Sequence, residues 1–165
     1  MLEVRLTAVR VDMQSNTPVV LLQEITGERS LPIFIGAPEA TAIAYAVQKV
    51  EVPRPMTHDL MRDVVQALGA TVTKVVVTEV HDGTYYALIH FDHDGVPIVV
   101  SARPSDAIAL AARTDAPIFV ADDLMDSEGV VLEADADEDD EEPSEELVDE
   151  FLEFLDNVRP EDFSP

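Results

Sequence analysis

The order of extended and helical patterns along this chain predicts an α+β fold with a mixed, mostly antiparallel sheet and helices packed on it. Alternating apolar residues, typical of strands, and apolar residues at helical spacing follow one another in the order βββααβββαβ. Asp-Gly pairs at 82–83 and 94–95 lie between extended stretches, and this pair favours tight hairpins between antiparallel strands. Because the order lacks the regular βαβ repeat of parallel sheets, most strand neighbours are expected to be antiparallel.

Three strands are predicted at the beginning of the chain. Residues 2–11 alternate between apolar and polar side chains over most of their length, residues 19–22 begin a second apolar stretch, and residues 29–36 form a third. Pro32 has no backbone N–H to donate to a ladder. The third strand is therefore expected to lie at an edge of the sheet or to pair on one side only at Pro32.

Two helices and a second group of strands follow. Pro38 and Glu39 are typical of a first helical turn, which predicts a helix from residue 38 to about residue 49. A second helix is expected to begin with Thr57 as its N-cap and to end at Gly69. The remaining predicted elements are strands at 71–80, 84–91 and 96–102, a helix at 104–113 and a short strand at 116–120.

Composition limits the classes to which the protein can belong. A chain of 165 residues with 47% hydrophobic residues can build one ordinary core. No run of about 18 apolar residues is present, so neither a membrane span nor a signal peptide is expected. The absence of cysteine excludes disulfides and thiolate chemistry, and it suits a cytoplasmic protein.

The net charge of −24 is distributed unevenly along the chain. Residues 122–165 hold 20 acidic residues and one basic residue, whereas residues 1–121 hold 14 acidic and 9 basic residues, a net charge of −5. Tight binding to nucleic acid depends on Lys and Arg side chains that neutralise phosphates, and the only lysines are Lys49 and Lys74. The charge argues against high-affinity, sequence-specific binding and leaves room for weak, transient binding during catalysis.

The chain after residue 125 differs from the rest. Residues 126–143 are rich in Asp and Glu and are expected to form an acidic, disordered linker. In residues 144–165 apolar side chains recur at helical spacing, which predicts an acidic amphipathic helix. These side chains are Leu147, Val148, Phe151, Phe154, Leu155 and Val158. Such a helix can dock on its own domain or on a second copy, or it can bind a basic partner protein.

Four separated blocks carry the most distinctive residues of the chain. They are Leu-Pro-Ile-Phe-Ile-Gly at 31–36 followed by Glu-Ala at 39–40, Arg-Pro-Met-Thr-His-Asp-Leu-Met at 54–61, Asp-Gly-Thr-Tyr-Tyr-Ala at 82–87, and Arg-Pro-Ser-Asp-Ala-Ile-Ala-Leu-Ala at 103–111. Together they resemble the bifunctional nuclease family, in a bacterial single-domain form with an added acidic C-terminal tail. The resemblance extends over residues 1–125, and four colinear blocks are more specific than one motif.

The resemblance implies an enzyme and partners for it. It implies a hydrolase that cleaves phosphodiester bonds in RNA and DNA with low specificity, so nucleic acid would be a transient substrate. It also implies a homodimer or a higher homo-oligomer. Phosphodiester hydrolysis needs an activated water, a cation that stabilises the phosphate charge and, in most enzymes, a metal or an acid–base pair. A divalent ion, Mg or Mn, is accordingly expected.

Two predicted helix starts contain residues suited to this chemistry, because free N–H groups and the helix dipole favour an anion there. Their candidate catalytic residues are His58, Asp59, Ser105 and Asp106, the candidate phosphate-binding residues are Arg54, Thr57 and Arg103, and the candidate metal ligands are Asp106 and Glu39. These residues can form a single site only if the sheet brings the two helix starts together.

Each candidate also has a purely structural interpretation. Hydroxyls cap helices, carboxylates offset the helix dipole, and Arg103 can form a bidentate salt bridge with Asp59 or Asp106. Two other functions stay open at this point. One is a non-enzymatic regulatory or scaffolding protein that binds a basic partner through its acidic C-terminal helix. The other is a module that binds a small anionic ligand at the Arg103 helix start.

Overall fold

The computed structural model describes residues 1–13 and 15–131. Its strands are β1 (Leu2–Asp12), β2 (Thr17–Glu24), β3 (Arg29–Phe34), β4 (Ala70–His81), β5 (Thr84–His93), β6 (Val96–Ala102), β7 (Ile118–Val120) and β8 (Val130–Val131). Its helices are α1 (Ala37–Val47), α2 (Thr57–Ala67), α3 (Pro104–Thr114) and α4 (Asp122–Glu128). The predicted order is confirmed up to β7, and α4 and β8 follow it.

The strands form one mixed sheet in the order β6-β5-β4-β7-β1-β2-β3-β8. Neighbouring strands are antiparallel except for β4 and β7, which are parallel. The hairpins β4–β5 and β5–β6 turn at Asp82-Gly83 and Asp94-Gly95, where all four residues have φ between 49° and 79°. Two consecutive positive φ values are typical of the type I′ turn that Asp-Gly favours. The predicted α+β class with a mostly antiparallel sheet is confirmed.

Helix α3 lies at the centre of the helix packing. It contacts α1, α2, β4 and β5. The apolar face of this helix is buried, with Ala107, Ile108 and Leu110 at 0% exposure and Ala111 at 1%. Burial of a side chain as large as Ile or Leu contributes about 1.5–3 kcal/mol, so this face fixes the position of α3 and of the polar residues at its beginning.

The prediction for Pro32 is confirmed. Pro32 lies opposite Leu21 of β2, whereas β8 pairs only with Arg29 and Ser30 of β3. On its outer side, Pro32 therefore has no ladder partner within the described part of the chain. Among the described strands, the other edge of the sheet is β6, which pairs with β5 alone.

The predicted N-cap of α2 is wrong by one residue. Met56 occupies the N-cap position with extended backbone angles, and Thr57 is the first helical residue. The Asp59 carboxylate accepts a hydrogen bond of 2.9 Å from the Met56 backbone N–H. A carboxylate at the third helical position can reach back in this way, so the cap of α2 does not need the threonine hydroxyl.

The ordered elements continue past residue 125. Helix α4 and strand β8 occupy most of residues 122–131, and β8 extends the sheet beside β3. The first part of the expected linker is therefore helix and strand. The rest of that linker and the amphipathic helix expected at 144–165 lie outside the described residues and stay predictions.

Candidate active site

Side chains from the beginnings of three helices meet at one point. Asp106 lies in the first turn of α3 and accepts a hydrogen bond of 2.7 Å from Nε of Arg103, the N-cap residue. His58 of α2 places its Nε2 3.0 Å from Oδ1 of Asp106. Glu39 of α1 accepts a hydrogen bond of 2.8 Å from Nη2 of Arg103. We call Glu39, His58, Arg103 and Asp106 the helix-start cluster.

The helix-start cluster confirms that the two predicted helix starts converge. Residues 54–61 and 103–111 are far apart in the sequence, and the contact of α2 with α3 brings them together. Of the two structural partners considered for Arg103, the structure selects Asp106, which it contacts through both Nε and Nη2. The sequence did not predict that Glu39 would contact this arginine.

Burial differs within the helix-start cluster. The side chains of His58, Glu39 and Asp106 are 8%, 16% and 22% exposed, whereas that of Arg103 is 66% exposed. In the guanidinium group, Nη1 has no hydrogen-bond partner among residues 1–13 and 15–131. The cluster therefore presents a cation to solvent while holding its acids and its imidazole in fixed positions.

The ionised carboxylate of Asp106 determines which ring nitrogen of His58 carries a hydrogen. Burial raises the pKa of the Asp106 carboxyl, but hydrogen bonds from Arg103 and His58 outweigh this effect and lower the pKa below its ordinary value. The hydrogen bond with Asp106 likewise raises the pKa of Arg103. An ionised carboxylate can only accept, so the His58 Nε2 in contact with it carries the hydrogen. In the neutral ring, Nδ1 is then the nitrogen with a free lone pair.

Asp59, predicted as catalytic, contacts Arg113 rather than a residue of the helix-start cluster. Its carboxylate accepts a hydrogen bond of 2.6 Å from Nε of Arg113 at the end of α3. Burial raises the pKa of Asp59, but the hydrogen bonds from Arg113 and from the Met56 backbone lower it further than burial raises it. The geometry points to a structural link between α2 and α3. Arg113 was not among the predicted residues, because no local pattern connects it with a residue 54 positions earlier.

The other predicted residues lie near the helix-start cluster in sequence, but among the described residues no hydrogen bond or ion pair joins their side chains to it. Ser105 is 7% exposed and belongs to the buried part of α3. Thr57 and Arg54 are exposed, and neither side chain has a hydrogen bond or ion pair within the described ranges. Arg54 is thus a second accessible cation just before α2, and its role in phosphate binding stays a prediction.

The candidate metal ligands do not fit a divalent ion as they are arranged. Glu39 and Asp106 both bind the guanidinium group of Arg103, which occupies the position between them. Over residues 1–13 and 15–131, no group of three or more His, Asp or Glu side chains has a geometry that could hold a metal ion. The cationic partner of these two carboxylates is therefore Arg103.

Comparison with known proteins identifies the family. The sequence pattern of the bifunctional nuclease domain matches residues 20–133. The chain belongs to this family. An uncharacterized protein of Mycobacterium tuberculosis is 46% identical over 165 residues, which cover 98% of this chain and 97% of that protein. Bifunctional nuclease 2 of Arabidopsis thaliana is 30% identical over 119 residues, which cover 70% of this chain and 36% of that protein.

The comparisons confirm the family inferred from the four blocks. Bifunctional nuclease 1 of Oryza sativa subsp. indica is 27% identical over 112 residues, 66% of this chain and 34% of that protein.

In the part of the chain that the structure describes, no helix is long and apolar enough to cross a membrane. The cytoplasmic location and the basic partner of the C-terminal segment stay predictions.

Proposed function

We propose that this protein is a nuclease that hydrolyses phosphodiester bonds in RNA and DNA with low sequence specificity, and that the helix-start cluster is its active site. The family supports the reaction, and the contact of His58, Asp106 and Arg103 supports the site. Residues 1–121 carry a net charge of −5, which suits a weakly bound substrate rather than a tight complex.

The proposed roles follow from the hydrogen bonds. Asp106 holds the Nε2–H of His58, so Nδ1 is the base that takes a proton from water as the water oxygen attacks phosphorus. The P–O bond to the leaving sugar oxygen breaks, and that oxygen takes up a proton from solvent and departs as an alcohol. The free Nη1 of Arg103 binds a phosphate oxygen and stabilises the negative charge of the transition state. Water as the nucleophile explains why DNA, which has no 2′-hydroxyl group, is cleaved as well as RNA.

The test is a cleavage assay with the full-length protein on single-stranded RNA and single-stranded DNA. Loss of either Asp106 or His58 is expected to lower the rate about 10²–10⁴-fold, the typical contribution of a general acid–base group. Asp106→Asn and His58→Ala are the variants, and Asp63→Asn is the matched control because Asp63, on the outer part of α2, pairs with no residue other than Arg62 among those the structure describes. Wild-type rates in both variants would place the active site elsewhere.

A second arm of the assay tests the predicted Mg or Mn ion. Full activity in the presence of a chelator is expected if Arg103 supplies the only cation at the phosphate. Loss of activity that Mg or Mn restores would support the metal-assisted reaction. Because Arg103 holds both Glu39 and Asp106, that result would also require these carboxylates to change partners when the ion binds.

We also infer that the chain forms a homodimer through the β6 edge of the sheet. This strand has no charged residue, and Val96, Ile98, Val99 and Val100 are 42–58% exposed. Natural edge strands are commonly protected by charges or bulges, whereas β6 pairs with β5 without a bulge and has only Pro97 as a protective residue. An uncharged antiparallel edge can pair with the same edge of a second copy.

The exposed face of α2 supports the same interface. Leu60, Val64 and Leu68 are 56%, 47% and 70% exposed, and their spacing of four residues places them on one side of the helix. A side chain built on Gly69, just after this helix, would lie 3.9 Å from the ring of His93, which pairs with Val96. The end of α2 therefore lies beside the beginning of β6.

The molar mass of the full-length protein in solution tests the dimer. The wild type is expected to have the mass of two chains, and Val99→Glu the mass of one chain. Ile25→Glu, in an exposed loop outside the sheet, is the control and should keep the wild-type mass. A monomeric wild type, or a dimeric Val99→Glu variant, would contradict the interface.

A further inference from the structure

A cavity of about 280 Å³ lies apart from the helix-start cluster, where the end of α1, the segment before α2 and the end of α3 meet. Residues of both helix ends, including Lys49 and Arg113, line it. Asp106 and Arg113 are seven residues apart on α3, so two helical turns, roughly 10 Å, separate this cavity from the centre of the cluster. Its function is therefore a question separate from phosphodiester hydrolysis.

Arg113 is the buried cation of this cavity. Its side chain is only 4% exposed, its Nε donates to Asp59 and its Nη1 donates to the backbone oxygen of Ala109 at 2.9 Å. Nη2 has no hydrogen-bond partner within the described part of the chain. No fully buried polar side-chain atom there lacks a partner, so Nη2 is not sealed from solvent. Arg113 lines the cavity, so the cavity is open space next to this side chain.

The charge around the cavity favours an anion. Three cationic side chains and two carboxylates line it, a local charge of +1 in a domain with an acidic excess. They are Lys49, Arg62, Arg113, Asp59 and Asp115. Both oxygens of Asp59 already accept hydrogen bonds, from Arg113 and from the Met56 N–H. The repulsion that an incoming anion would meet from this carboxylate is thereby reduced, and Nη2 of Arg113 and the Lys49 ammonium group remain as donors.

The rest of the lining is apolar or aromatic. It consists of Tyr45, Ala46, Val50, Val52, Met56 and Ala112. Small-molecule sites commonly combine an apolar wall with a few convergent polar groups. We propose that this cavity binds a small molecule in which one phosphate or carboxylate group is joined to an aromatic or aliphatic body. The anion binds Nη2 of Arg113 and Lys49, and the body contacts Tyr45 and Val52.

Titration calorimetry on the full-length protein tests this site with four probes. Adenosine monophosphate represents a phosphorylated ligand and benzoate a carboxylated one, whereas adenosine and inorganic phosphate each supply one half of the proposed chemistry. At least one of the first two probes is expected to bind more tightly than both halves. Absence of heat from adenosine monophosphate and benzoate, or equal affinity for adenosine, would overturn the proposal.

Variants place the binding in the cavity. Lys49→Gln is expected to weaken binding about tenfold, the effect of one charge-assisted hydrogen bond, and Ala46→Leu is expected to abolish it by filling the space. Lys74→Gln is the control, because Lys74 lies over the ring of Phe119 on another part of the sheet. Arg103→Met should bind as the wild type does. Binding that Ala46→Leu retains and Arg103→Met loses would assign the probe to the helix-start cluster and overturn the proposal.

Discussion

Two contacts between a carboxylate and a guanidinium group involve α3, and they differ mainly in exposure. Arg113 lies 2.6 Å from Asp59 with side-chain exposures of 4% and 17%, and Arg103 lies 2.7 Å from Asp106 with exposures of 66% and 22%. The distances are nearly equal. The Arg103 guanidinium group is largely exposed and that of Arg113 is mostly buried, so the first contact joins helices while the second presents a cation at the surface, where a nucleic-acid phosphate can reach it.

The adjacent residues His58 and Asp59 show the same division. The imidazole of His58 contacts Asp106 at the beginning of α3, whereas the carboxylate of Asp59 contacts Arg113 at its end. One turn of α2 thus serves both the proposed chemistry and the packing of two helices. Residue type alone does not distinguish these roles, because an acid and a histidine at a helix start suit both.

Arg113→Met should have the largest effect of the variants that compare these contacts. Removal of one partner of a buried ion pair leaves an uncompensated charge, which costs about 3–5 kcal/mol in the free energy of unfolding. Urea denaturation of the variant and the wild type measures this difference. Arg103→Met is the matched control, and equal destabilisation by the two substitutions would contradict the contrast between a buried and an exposed contact.

Arg103→Met should separate activity from stability. The guanidinium group that it removes is 66% exposed although Asp106 and Glu39 are mostly buried, so the free energy of unfolding is expected to change by less than about 1 kcal/mol, well below the change in Arg113→Met. The cleavage rate is expected to fall about 100-fold, because the phosphate loses its cation. Parallel measurement of denaturation and of cleavage checks both values. A stable variant with the wild-type rate would remove Arg103 from the active site.

Acidic pH should weaken both the contact of Asp59 with Arg113 and the contact of Asp106 with Arg103. The folded-state pKa values of Asp59 and Asp106 are lowered, so each ionised carboxylate contributes stability that is fully present above the ordinary carboxyl pKa of about 4. This contribution is lost as the pH falls from there through the folded-state values. Denaturation at a series of pH values should show the loss, and Asp59→Asn should show a smaller one. An unchanged slope in that variant would contradict the assignment.

Thr57→Ala should have the smallest effect. A threonine at an N-cap contributes typically about 1 kcal/mol, but Met56 is the N-cap of α2 and Thr57 is an exposed first residue. The expected change in the free energy of unfolding is within about 0.5 kcal/mol. Destabilisation by a full kilocalorie in thermal or urea denaturation would show that the hydroxyl caps the helix after all.

The local elements could be predicted because short-range rules govern them. The Asp-Gly turns and the beginning of α3 at Pro104 depend on neighbouring residues, and both are confirmed. Strand order could not be predicted in this way. Strand β7 lies between β4 and β1, parallel to one and antiparallel to the other, and no local pattern specifies such a pairing.

The same limit applies to the candidate site: its residues could be predicted from local sequence, but the contacts between them could not. His58, Arg103 and Asp106 could be identified from four sequence blocks, but their convergence could only be assumed, and the contact of Asp59 with Arg113 was not predicted. Glu39 was predicted as a metal ligand, and in the structure it binds the guanidinium group of Arg103. Contacts over 48 and 64 positions depend on how α1, α2 and α3 pack together.

The sequence by itself determined the α+β class, the family and the residues at the helix starts, because these follow from local backbone preferences and from ordered motifs. Only the tertiary structure decided which of two neighbouring side chains joins the helix-start cluster and which arginine is buried. The physical reason is that burial belongs to the packed helices rather than to the residue. It makes the pair at Arg113 a structural link and leaves Arg103 open to solvent.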